Sequence, residues 1–167
     1  MRRDTGCSAE TAATATHAPI LKNSDNSASD YATGAWKREL GMTTIAGQSL
    51  PGATVFYPSD ATSMERAVEL AANTRGIAYL RATRPALPVL YPASEVFRPG
   101  QAKVLRQSEA DQVLVIAAGV TLHEALKAAE TLSQAGVNIR VMDPFTVKPL
   151  DWTAVQNNSA QCHGRVL

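Results

Sequence analysis

The run VLVIA at residues 113–117 is uninterrupted apolar sequence, as a strand shows when both of its faces are covered. A glycine, Gly119, follows at the turn, and Thr121 with Glu124 three residues on reads as a capping box opening a helix. Leu122, Ala125, Leu126, Ala129 and Leu132 make the apolar stripe of that helix, Gly136 ends it, and residues 137–142 supply the next strand. Strand, crossover helix and strand in this order predict a right-handed βαβ unit in a parallel sheet. The fold class is therefore α/β.

A shorter series precedes it. Residues 54–57, TVFY, form a β-branched and aromatic run closed by Pro58, hence a strand. Thr62 and Glu65 read as a second capping box, with Met64, Ala67, Val68, Ala71 and Ala72 at helical spacing and Gly76 at the place of a C-cap glycine. Residues 77–80 read as the next strand and run into Arg81-Ala-Thr-Arg84-Pro85. Pro85, Pro88 and Pro92 then keep the chain extended and Pro99-Gly100 turns it, which reads as connector rather than core. Residues 102–105 read as a strand, Asp151 as the cap of a short helix, and 164–167 as the entry to a further strand. Two strands and one helix are too few to enclose a core alone, so the whole looks like a window cut from a larger protein.

Residues 1–35 are different. Besides the initiator, their only large apolar side chains are Ile20, Leu21 and Tyr31. Such a stretch does not offset about 1–2 kcal/mol of backbone entropy per residue, so it is expected to be a disordered leader, with order beginning between Trp36 and Pro51. A targeting role fits poorly: there is no apolar core for a secretion signal, and Asp4, Glu10, Asp25 and Asp30 are too acidic for a transit peptide. The expected division is a leader over 1–40, a first α/β segment with its connector over 41–97, and a second over 98–167.

Charge and cysteine use narrow the function. With 16 Lys+Arg against 15 Asp+Glu the formal charge is +1, without the cationic excess a nucleic-acid or polybasic membrane binder needs. No apolar run approaches the roughly 20 residues of a membrane-spanning helix. Cys7 and Cys162 lie near opposite ends and, even with His163, make neither a disulfide framework nor a zinc site, so reduced thiols in the cytoplasm are expected. His123, one turn into a capped helix, reads as solvated or capping rather than as a catalytic base. Gly119 lacks the companions of a phosphate-cradling fingerprint and reads as a tight turn. Cys162-His163 reads as a solvent-side pair rather than a nucleophile and its base, and Asp143-Pro144 with Lys148-Pro149 as a turn at a domain interface.

The blocks TVFYPSD, AVELAANTRGIAYLRATRP, GQAKVL, VLVIAAGVTLHEALKAAE, NIRVMDPFTVKPLD and GRVL, in this order, resemble animal-type transketolases from about Leu50 to Leu167. The resemblance implies parallel-sheet βαβ segments from two thiamine-enzyme domains: the end of the pyrimidine-binding domain, then the first half of the C-terminal domain. It implies a homodimer that uses thiamine diphosphate and magnesium or calcium to move a two-carbon ketol unit between sugar phosphates, in the pentose phosphate pathway. The family's activating glutamate, channel histidines, diphosphate loop and metal ligands have no counterpart in these blocks, so no catalytic, cofactor or metal residue is carried over. One site residue is: Arg84, the arginine of the SRP-like element, implied to contact the substrate phosphate. A guanidinium fork suits phosphate oxygens, and the carboxyl end of a parallel strand is where α/β sheets put ligands. Arg81 is expected to be a structural or surface residue. The alternative is an inactive paralogue or fragment that serves as an interaction or dimerisation module.

Overall fold

The computed structural model describes residues 20–23 and 51–167. Its elements are β1 (Ile20–Asn23), β2 (Thr54–Phe56), α1 (Ala61–Asn73), β3 (Ala78–Arg81), β4 (Lys103–Arg106), β5 (Asp111–Ile116), α2 (Val120–Gln134), β6 (Asn138–Asp143), β7 (Thr146–Lys148) and α3 (Trp152–Gln161). The expected βαβ unit is present: β5 and β6 are parallel neighbours joined by α2. The mixed α/β class holds, with two antiparallel strands that the spacing did not predict. β4 runs antiparallel to β6, giving a sheet ordered β4-β6-β5. β7 runs antiparallel to β2, although it follows β6 in sequence, giving a second sheet ordered β1-β3-β2-β7. Residues 165–167 lie along β5, where Leu114 donates to the Arg165 carbonyl and Ile116 to that of Leu167, as the terminal strand reading expects.

The leader reading falls mostly on residues outside those described. Within that stretch the described residues Ile20–Asn23 form a strand in parallel register with Ala78–Arg81.

Both capping boxes are also corrected. Helix α1 starts one residue before Thr62, with Asp60 as N-cap accepting from the Ser63 amide at 2.7 Å, while the Ser63 hydroxyl accepts from the Asp60 amide at 3.0 Å. Thr62 instead donates its hydroxyl to the Tyr91 carbonyl. Helix α2 has Gly119 as N-cap without a side-chain cap, and Thr121 bonds the Ala118 carbonyl. At the other end Gly136 behaves as expected: its amide and that of Val137 reach back to Ser133 and Leu132, a Schellman closure that needs its positive φ. Gly76 does not cap α1, whose C-cap is Thr74. Asp151 caps α3 as expected.

The core explains the second antiparallel strand. Phe56 and Leu80 meet Ala67 and Ala71 of α1, and Tyr91, Phe97 and Phe145 complete the cluster. Phe145 lies edge-on to Phe56 at 5.7 Å and tilted on Phe97 at 4.5 Å between ring centroids. The connector over 85–100 is therefore partly core, against the expectation: it lacks regular structure but buries Tyr91 and Phe97. In the other sheet, β6 alternates. Ile139 and Val141 pack toward Leu122 and Ala129 of α2, while Met142 joins Leu114, Val155 and Cys162 on the α3 side.

Candidate functional site

The carboxyl ends of the parallel strands β2 and β3 open on a cleft of 330 Å³. One wall is the turn Pro58-Ser59-Asp60-Ala61 with Met64 behind it; the other is Thr83 and Pro85-Ala86-Leu87. Arg84 stands in the second wall's sequence, exposed, and among the described residues nothing is paired with its guanidinium. Pro85 restricts Arg84 to extended backbone, so the side chain starts from a fixed direction. Arg81 is exposed as well, with its Cζ 4.8 Å from the centroid of the Tyr57 ring, a cation–π contact in keeping with a structural reading.

The first wall is held from below by buried polar groups drawn from four separate segments. Asp60 Oδ1 accepts from Ser63, and its Oδ2 accepts from the amides of Leu90 and Tyr91 at 2.8 and 2.9 Å. Burial pushes the Asp60 carboxyl up, but these hydrogen bonds together outweigh it and hold the group below the ordinary carboxylate value. Asp143 is fully buried and accepts from the Tyr91 hydroxyl at 2.7 Å, from the Phe145 amide and from Ser59. Here burial prevails and the carboxyl lies above its ordinary value, while burial and the nearby Asp143 push the Tyr91 phenol up.

His123 belongs to the same cluster, which corrects the solvated reading. It is 7% exposed, and its Nε2 lies 2.7 Å from the Ser59 carbonyl oxygen. A carbonyl only accepts, so Nε2 carries the proton. The Gly119 amide donates to Ser59 Oγ at 2.8 Å. Gly119 is also packed against the Tyr57 ring so closely that a Cβ there would overlap it, and its φ is +60°. The tight-turn reading of Gly119 holds, with close packing as a second reason for glycine. His123 sits just off the Leu122, Leu126, Ala129 stripe, and that is the only sequence hint of its burial.

Ser59, His123 and Asp143 are the residue types of a nucleophilic triad, but their geometry is not one. His123 engages the Ser59 carbonyl rather than its hydroxyl, and the hydroxyl bonds Asp143 directly with no imidazole between them. Cys162 and His163 do not act together either: Cys162 is buried, with its thiol pushed up by burial, and His163 is exposed in a turn. A second depression, of 570 Å³, is lined by Gln107, Ser108, Glu109, Arg140 and Gln161. Its buried Arg140 is spent on Asp111 at 3.0 Å, Asn158, Gln161 and the Ser108 carbonyl, so it offers no vacant donor fork. Among the described residues no three of His, Cys, Asp and Glu stand together as a metal ion needs, and no helix is long and apolar enough to cross a membrane.

Comparison with known proteins places this geometry. Residues 100–167 match the family described as transketolase, C-terminal domain. Mouse transketolase-like protein 2 is 57% identical over 120 residues and human transketolase 54% over 120, in both cases across 72% of this chain. The chain spans 19% of the length of either relative. Among solved structures, one described as split gene transketolase, inactive beta4 tetramer, superposes with a TM-score of 0.68 at 31% identity, covering 72% of this chain and 39% of that one. At more than half identity over 120 residues, which is 72% of its length, the chain belongs to the transketolase family.

Proposed function

We propose that the chain carries the sugar-phosphate end of a transketolase site, with Arg84 as the phosphate contact. The observation that carries this reading is an exposed arginine, without a partner among the described residues, beside a cleft at the carboxyl ends of two parallel strands. In the proposed enzyme, a cytoplasmic homodimer of the pentose phosphate pathway, a two-carbon ketol unit passes from a ketose phosphate to an aldose phosphate. Residues 41–97 close the pyrimidine-binding domain and 98–167 begin the C-terminal domain. Thiamine diphosphate supplies the carbanion chemistry when bound with magnesium or calcium. The described residues do not fit that cofactor's metal, so their proposed part is confined to holding substrate, and the 167-residue chain alone is expected to give no turnover.

The test is Arg84→Ala. Losing one charge-assisted pair weakens ribose 5-phosphate binding to the chain roughly tenfold to hundredfold, and leaves ribose unaffected. Lys restores only part, since it keeps the charge and loses the fork. In the whole enzyme the loss falls on KM for phosphorylated substrates and spares hydroxypyruvate, which has no phosphate. Equal damage with hydroxypyruvate makes Arg84 structural.

A second reading, an assembly module without catalysis, is supported by the likeness to the split-gene chain described as an inactive tetramer. Sedimentation of the purified chain separates the readings: a stable oligomer that ignores ribose 5-phosphate favours the module.

A further inference from the structure

The β2–α1 turn is one wall of the cleft, yet two of the bonds to Ser59 come from Gly119 and His123 at the start of α2, sixty and sixty-four residues later in the chain. Ser59 is fully buried and uses three groups at once. Its carbonyl receives His123, its hydroxyl accepts from the Gly119 amide and bonds Asp143, and its amide donates to Ser63 Oγ. Pro58 immediately before it and Asp60 immediately after both line the cleft. A shift of the Ser59 carbonyl therefore moves the wall. Gly119 cannot follow such a shift easily, because the Tyr57 ring blocks it from one side.

We propose that His123 is a positioning residue for the sugar-phosphate cleft: its Nε2–H holds the Ser59 carbonyl and thereby sets the turn that forms one wall of that cleft. The proposal rests on the phosphate reading of that cleft and adds to it a residue from the other sheet's helix. His123 touches no substrate. It is not among the residues that line the cleft, and it acts through the Ser59 carbonyl.

The experiment uses the full 167-residue chain and ribose 5-phosphate as probe, with binding followed by NMR titration and the turn by amide exchange. His123→Leu keeps similar volume but removes the donor. It is expected to weaken ribose 5-phosphate binding roughly threefold to tenfold, the span of one net hydrogen bond, and to speed exchange at Gly119 and Ser63. His123→Gln, whose amide can stand where Nε2 stands, is expected to recover most of both effects. Should the Leu chain not fold, His123→Asn, with a donor too short to reach, replaces it and is expected to show the same losses. Unchanged affinity in a folded Leu or Asn chain, or faster exchange without loss of affinity, overturns the positioning role. Arg84→Ala in parallel keeps the two ideas apart: an Arg84→Ala chain that binds as well as wild type overturns the phosphate reading alone. Absence of binding by the wild-type chain overturns both.

Discussion

Asp60 does three jobs with one carboxylate: it caps α1, bonds Ser63 and accepts the Leu90 and Tyr91 amides. Because hydrogen bonding holds its folded pKa below the ordinary 3.8, the sign of its pH dependence is fixed. Its contribution is fully present above the unfolded value and is lost as the pH falls through the lowered folded value. Asp60→Ala is expected to cost about 1–2 kcal/mol at neutral pH for the cap alone, with a further loss for two amides left without an acceptor. Urea unfolding at neutral pH and again below pH 3 checks this; the gap between the variant and wild type should shrink in acid. A gap that widens in acid contradicts the assignment. Asp143 works in the opposite sense. Its raised pKa makes it favour the protonated state, so its contribution declines as the pH rises through that value.

Elements without regular structure carry more of this fold than their backbone suggests. The connector over 85–100 has no helix or strand, yet Phe97 is 5% exposed and packs on Tyr91 and Phe145. Phe97→Ala is expected to destabilise the chain by about 3–5 kcal/mol, as for a core aromatic and not for a linker residue. Thermal or denaturant unfolding measures it, and a loss under 1 kcal/mol would show the connector to be peripheral. The regular elements were legible in the sequence wherever period and punctuation agreed. The 113–117 run, the α2 stripe with its Gly136 closure and the Asp151 cap all stand where their residues place them. What stayed hidden depends on partners far away in sequence. Asp60 outcompetes Thr62 as cap because it also meets residues 90 and 91, and His123 is drawn inward by a carbonyl 64 residues distant. The role proposed for Arg84 rests on family resemblance, since nothing in its local sequence distinguishes it from any other arginine.

For the molecule as a whole, the two sheets are tied by side chains and by β7, which follows β6 in the chain but pairs in the other sheet. β7 pairs with β2, Phe145 packs on Phe56, and Tyr91 bonds Asp143 at the end of β6. The described residues are therefore expected to unfold in a single transition, with amides of β2 and β5 losing exchange protection at the same denaturant concentration. Two resolved transitions would show the sheets to be independent. The route of β7 also bears on how such proteins can be recombined. The family match starts at Gly100, which invites a chimera that joins the first segment of one relative to the second of another there. Such a graft would exchange β7 and Phe145 together with the second segment, and so replace an edge strand and an aromatic of the first core with a stranger's. Donor and recipient would have to agree at residues 143–148 as well as at the seam.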